Sequence, residues 1–269
     1  MHRDATEPPV FCSASAAVVL GFPLYRLRPS RVHVGIPHPR HVASRSDVFR
    51  HRLDLVDDDI IEIGGVRVTS EIRTVFDTSR SLGVEAAQSI ADAALRNRAV
   101  TGHCQDVERA VEWREDLARR FAAVRGAPGT RRGKDVVDFA DGRAQLPGES
   151  VSRLRLRRLG FHDVDLQVAV SSPEGREYFV DFGLNDIGAF GEFDGTGKYV
   201  DPSLRGGRSI EDAVLEEKRR EDWVRGTTGR PLFRWGAEHI ATVNAFAARL
   251  TAFGVPLTGD LRLDRRRLH

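Results

Sequence analysis

Residues 191–195 read Gly-Glu-Phe-Asp-Gly, and Lys198 follows three positions later. On a strand, Glu192 and Asp194 share a face with Phe190. Their neighbours Ile187, Ala189, Phe190 and Phe193 are apolar, so two negative charges stand in what otherwise reads as a buried strand. The preceding strand carries Val-Asp-Phe at 180–182, with Asp181 on the face of Phe179 and Glu177. A two-residue turn at 185–186 or 186–187 makes Asp181 and Glu192 direct or diagonal cross-strand neighbours, roughly 5–8 Å apart. Like charges facing each other are destabilising unless something compensates. The simplest compensation is an oxygen-seeking divalent cation, Mg²⁺ or Mn²⁺, held with several of its waters as in phosphoryl chemistry. On this reading Asp181, Glu192 and Asp194 are the metal ligands and Glu149 is a further carboxylate able to complete the shell. Lys198 balances charge on the phosphate. Gln167 and Lys218 are additional candidates. Singly, each of these acids is of a type that usually faces solvent; the combination and its order carry the expectation.

Composition sets the frame for that site. The chain has 269 residues, 41% hydrophobic and 30% charged, as expected of a globular protein with room for one large or two small domains. No apolar run approaches the roughly 18–20 residues of a membrane span, and residues 1–10 lack the apolar core of a signal peptide. A cytoplasmic protein is expected. Cys12 and Cys104 have no metal-ligand spacing and read as ordinary thiols. The net charge is +2, and from Glu149 to the end 19 basic residues face 19 acidic ones, so bulk charge announces no nucleic-acid partner. Local clusters at 153–158, 217–222 and 264–267 offer phosphate contacts or simply solvated faces. Only three of the 41 basic residues are lysines, Lys134, Lys198 and Lys218. A lysine kept in so arginine-rich a chain points to a use for a compact, strongly hydrated charge.

Two runs of elements position these residues. In the first, a helix is expected over 13–21 and strands over 31–37, 47–55, 59–63 and 66–70. Gly64-Gly65 makes a hairpin turn between the last two. Thr69 or Ser70 caps a helix with Ile72, Val75 and Phe76 at helical spacing. Further helices are expected over 83–97, 103–125 and 134–144. A Gly/Arg-rich connector at 125–134 places the domain boundary, giving residues 1–130 and 131–269. The second run has a helix from about Gly148, strands over 164–171, 176–184 and 188–195, and a Gly-rich loop over 196–208. Ser209 and Asp212 form a capping-box pattern that opens a long helix. A strand over 230–235 and a closing helix over 237–253 complete it. The fold class is mixed α/β.

The α-β-β-β-α-β order with Asp181, Glu192, Asp194 and Lys198 resembles the PD-(D/E)XK nuclease superfamily. It is most similar to the very-short-patch-repair-like endonuclease domains. In that group a helix bearing a Glu is followed by V-D-F, then E-x-D-G, then a histidine or lysine three residues past the glycine. The matching residues here are 148–150, 180–182, 192–195 and Lys198, with 217–222 and Arg234-Trp235 matching the later helix and strand. The resemblance covers about residues 145–236. It implies a restriction-endonuclease-like core, an Mg²⁺- or Mn²⁺-dependent DNA endonuclease, and phosphate contacts from Arg155, Lys218, Arg219 and Arg220. The third strand reads E-x-D instead of the superfamily's E-x-K, so the lysine role passes to Lys198 or Lys218. Residues 13–24 and 68–80 are similar to the body of AbiEi-type antitoxins, which are associated with type IV toxin–antitoxin loci and phage defence. The winged-helix DNA-binding domain that comes first in many relatives is expected to be missing.

The leading expectation is therefore a metal-dependent endonuclease in phage defence or DNA repair, possible as a homodimer. The alternative is a non-catalytic, antitoxin-like regulator that binds DNA or a toxin and keeps the nuclease fold as a scaffold. No membrane partner is expected.

Overall fold

The computed structural model describes residues 8–36, 46–195, 210–255 and 257. The chain is mixed α/β and divides into two compact units, 1–147 and 148–269. The boundary lies later than the connector suggested, for a reason of packing. The helix Thr130–Phe139 buries Val136 and Val137 in the same core as Ile90, Leu95, Trp113, Leu117 and Phe121, so it belongs to the first unit.

In the first unit the strands are β1 (Val10–Phe11), β2 (Val32–Ile36), β3 (Val48–Arg52), β4 (Ile60–Ile63) and β5 (Val66–Thr69), in sheet order β3-β2-β1-β5-β4. The hairpin at Gly64-Gly65 forms as expected, both glycines at positive φ (58° and 77°) with Ile63 opposite Val66. The short strand β1 is central, pairing with β2 on one side and β5 on the other. Two residues are too few to show a period in sequence. The helices are α1 (Ser13–Val19), α2 (Glu71–Ser81), α3 (Val84–Ala99), α4 (Val107–Ala123) and α5 (Thr130–Phe139). A two-residue ladder, β6 (Val100–Thr101) with β7 (Cys104–Gln105), precedes α4, which Asp106 caps by accepting from the Arg109 amide. Cys12 is buried and Cys104 exposed, and both are free thiols.

Two polar features mark this unit. Arg73 is buried and ties together a turn and a helix. Its Nη1 donates to Asp59 (2.7 Å) and to the Asp54 carbonyl (2.8 Å), and its Nε donates to Asp77 (3.0 Å). Arg120 meets the other Asp59 oxygen at 2.6 Å. On β2 and β3, His33 Nδ1 and His51 Nε2 are 2.8 Å apart, with the Phe49 ring against both.

The second unit contains α6 (Pro147–Arg158), β8 (Val164–Ser171), β9 (Glu177–Leu184), β10 (Ala189–Asp194), α7 (Ile210–Thr228), β11 (Leu232–Gly236) and α8 (Val243–Ala252). This is the expected element order. The sheet runs β11-β10-β9-β8, antiparallel except for the parallel β10–β11 pair that the α7 crossover makes possible. The closing helix is shorter than expected. A 3-10 turn at His239–Ala241 comes first, and Thr242 then caps α8 by accepting from the Ala245 amide.

Aromatic packing fixes the strand that carries the acids. Trp235 is buried between Phe182 (ring centroids 5.2 Å apart) and Phe246 (5.0 Å), and its indole N–H donates to Ser152 on α6 at 2.8 Å. Gly191 is a glycine because that indole lies on it: an added Cβ would stand 2.2 Å from the ring. Gly148 is the same case, with the Phe193 ring 2.1 Å from where its Cβ would be. The pair of glycines lets α6 and β11 close on β10. Val170, Val180, Phe190, Val224 and Leu232 form a second apolar cluster between the strands and α7. Among the described residues no helix is long and apolar enough to cross a membrane.

Candidate functional site

The β9–β10 hairpin turns through a 3-10 turn at Asn185–Ile187 and Gly188, with Leu184 opposite Ala189 and Phe182 opposite Gly191. The next pair in that register is Asp181 and Glu192, the opposition the sequence implied. The ladder stops there. In place of a backbone partner, the Phe193 amide donates to the Asp181 carboxylate at 2.9 Å. Asp181 thus stands where the two strands part.

The other edge of β9 breaks at the same level. The β8–β9 ladder runs through Leu166–Phe182 and resumes at Val168–Val180, skipping Gln167, which stands opposite Asp181 with a left-handed backbone (φ 51°). Few non-glycine residues adopt that conformation, and it is uncommon within a strand. It accompanies an inward side chain. Gln167 is buried, and its amide nitrogen donates to Glu149 at 3.4 Å. Glu149 lies in the first turn of α6 and is 2% exposed. Gln167 therefore links the Glu149 carboxylate to the break at Asp181.

Glu192 is 5% exposed, and both its oxygens face guanidinium groups. Arg220 of α7 donates to Oε1, and Arg234 of β11 reaches Oε2 at 3.2 Å. Arg234 is also the register partner of Glu192 across the parallel pair. Each arginine has other anchors. Arg220 bonds Glu217 (2.7 and 3.0 Å) and the Phe179 carbonyl (3.3 Å). Arg234 bonds Asp194 (3.0 Å), Glu217 (3.0 Å) and Glu221 (3.1 Å). Burial raises the Glu192 carboxyl above its usual range, and the two arginines offset this only in part. At Glu217 burial also acts upward, but the bonds from Arg220 and Arg234 outweigh it and the carboxyl is lowered. Burial decides the direction at Glu192, and the arginines decide it at the less buried Glu217.

The expected residues sort as follows. Gln167, bonded to Glu149, stands opposite Asp181 in the strand register, Asp181 is in turn the register neighbour of Glu192, and Glu192 and Asp194 share Arg234. Lys198 and the rest of 196–209 lie outside the described residues, as does the basic cluster at 264–267. Lys218 and Arg219 are exposed on α7. Arg220 turns inward to Glu192. Arg155 corrects the expectation of a phosphate contact: it is buried, and its guanidinium donates to the Ile240 and Ala241 carbonyls (3.2 and 3.4 Å). Of the basic run at 153–158, Arg153 and Arg155 are buried and Arg157 and Arg158 exposed. The sequence reading gave Arg234 no part in the site, which only the β10–β11 pairing reveals.

The chain has relatives without a described activity. It is 25% identical over 236 residues to two proteins of Mycobacterium tuberculosis, "Uncharacterized protein MT2308" of strain CDC 1551 / Oshkosh and "Uncharacterized protein Rv2248" of strain ATCC 25618 / H37Rv. The match covers 79% of this chain and 76% of each relative. No protein-family profile matches the chain, and no solved structure does.

The donors can be weighed against a divalent ion on chemistry alone. Mg²⁺ needs only one or two carboxylates and keeps several waters. Asp181 and Glu192, neighbours in register where the ladder ends, fit that need in kind. Among the described residues no three of His, Cys, Asp and Glu form a ligand group, so these two carboxylates define the candidate. At Glu192 an ion and the arginine contacts are alternatives.

Proposed function

We propose that the second unit is a divalent-cation-dependent phosphodiesterase acting on DNA. The observation that carries this reading is the opposition of Asp181 and Glu192 at the point where β9 and β10 part. In that register the two acidic residues face each other one step beyond the last ladder pair, Phe182–Gly191. When bound, a divalent ion would supply a water of lowered pKa and charge stabilisation at the phosphoryl oxygens. The chain's own residues do the rest. The Phe193 amide orients Asp181, and Gln167 orients Glu149. Lys198 steadies charge on the phosphate. Lys218 and Arg219 on the outer face of α7 meet backbone phosphates, which position a duplex without reading its sequence.

The test is cleavage of plasmid and oligonucleotide DNA with Mg²⁺ or Mn²⁺ by wild type, Asp181→Asn and Glu192→Gln. Both substitutions keep size, although the glutamine amide can accept from only one of the two arginines that Glu192 serves. Each is expected to lower the rate about 100-fold or more, on the scale of losing one key electrostatic contact, with the fold retained by circular dichroism at the assay temperature. Wild-type rates in either variant would sink the assignment.

One observation favours a second reading. With both Glu192 oxygens on arginines, the fold is also consistent with a scaffold that binds DNA or a toxin without cutting. That reading expects no cleavage by wild type, and DNA or toxin binding that survives Asp181→Asn but weakens in Lys218→Ala/Arg219→Ala.

A further inference from the structure

We propose that Arg220 is an exchangeable counter-charge: it holds Glu192 in the metal-free protein and passes to a substrate phosphate when a divalent cation takes that carboxylate. The inference rests on the phosphodiesterase reading and adds how its site is controlled.

Three features support it. First, a buried carboxylate needs a cation beside it, and the guanidinium and the divalent ion are rival solutions for the same oxygens. Second, releasing Glu192 does not strand Arg220. It keeps two bonds to Glu217 and one to the Phe179 carbonyl, so only one of its contacts must change. Third, Arg220 is not sealed in. Its side chain is 17% exposed, against 6% for Glu192, so a small movement brings the planar fork to an anion in solvent. Arg234, at 24% exposed, is no more sealed, but it is shared among four acids, Glu192, Asp194, Glu217 and Glu221, where Arg220 serves two. It is the fixed member of the pair.

Exchange has a thermodynamic signature. A cation arriving next to a displaced guanidinium leaves positive charge in surplus, and a phosphodiester removes that surplus. Cation and DNA therefore strengthen each other's binding by one shared factor. The ion alone binds weakly because Arg220 competes with it.

Calorimetric titration of Mn²⁺ tests this without reference to turnover. The samples are wild type, Arg220→Met and Glu192→Gln, each with and without a phosphorothioate oligonucleotide. Arg220→Met is expected to bind Mn²⁺ about tenfold tighter than wild type when DNA is absent. It is also expected to lose most of the enhancement by DNA that wild type shows. Arg220→Gln, which keeps hydrogen bonding without charge, is the substitute if the methionine variant does not fold. Equal or weaker Mn²⁺ binding in the folded Arg220 variant, with wild type still binding Mn²⁺ and cutting DNA, overturns the exchange alone. No Mn²⁺ binding by wild type even with DNA, or binding unchanged in Glu192→Gln, overturns the phosphodiesterase reading and the exchange with it.

Discussion

Each unit buries a carboxylate–arginine cluster, and the two are built to different ends. In the first, two arginines serve two aspartates, Arg120 taking the second Asp59 oxygen. Arg73 lies between Asp59 and Asp77, spends a further bond on the Asp54 carbonyl, and joins the chain before β4 to α2. Every bond closes the fold on itself. In the second, Arg220 and Arg234 serve Glu192, Asp194, Glu217 and Glu221, and the acids outnumber the arginines. That cluster stands where a strand ladder ends and is partly open to water. A cluster with matched charges inside a fold holds it, whereas one with surplus acid at a break in a sheet has capacity for a ligand.

The sharpest test of this contrast is to remove the central arginine of the first cluster. Arg73→Ala leaves two buried carboxylates short of a partner and is expected to cost about 3–5 kcal/mol, as breaking a buried pair does. Hydrogen exchange in peptides of 71–99 should rise sharply, while peptides of 177–194 stay protected. If protection in both regions falls together, the two clusters do not act as separate supports. Next in size is Gly191→Ala. The new methyl meets the Trp235 indole, and overpacking of this kind costs about 1–3 kcal/mol. Urea denaturation should show the loss, and exchange should place it around β10 and β11. Arg234→Met comes third, at about 1–2 kcal/mol, because Asp194, Glu217 and Glu221 are partly exposed and Arg220 still holds Glu192. A loss equal to that of Arg73→Ala would erase the distinction.

The smallest effect is on pH dependence in the first unit. Burial, with a further push from His33, lowers His51 from its ordinary 6.5 to about 4. The unfolded chain therefore takes up the proton first. The stability that neutral His51 contributes is complete above about pH 6.5 and is lost as the pH falls toward 4. The ring is partly open to water, so the slope is shallow. Stability measured between pH 7 and 4 should fall less steeply in His51→Phe than in wild type. Parallel curves would remove His51 as the cause.

Much of the second unit was legible in its sequence because its signals are local. Strand alternation, turn residues near 172–175 and 185–188, and helical spacing gave the element order. The parity of one hairpin was enough to set Asp181 against Glu192. The arginine pair was not legible for a physical reason. Arg234 meets Glu192 across a parallel pairing whose connection includes the whole of α7, and no periodicity reports so distant a contact. The Glu217–Arg220 spacing is a readable i,i+3 pair, but spacing does not say which face turns inward. Arg155 failed likewise: charge suggested exposure, yet α6 is buried on most sides and the side chain bonds carbonyls 85 residues away. In the first unit, the late boundary followed from Val136 and Val137, whose burial partners lie in helices the connector seemed to separate.

The left-handed residue at Gln167 has an effect outside the site. Among the described residues β8 is the last strand of its sheet, with a ladder on one side only. Such an edge is a template on which a second chain can extend the sheet into an aggregate. Because Gln167 breaks the run of extended residues midway, an incoming strand finds no long straight row of amides and carbonyls to copy. The same twist that turns a side chain toward Glu149 thus also guards the molecule against sticking to itself, and a change that straightened residue 167 would carry a cost in solubility as well as in the geometry of the acids.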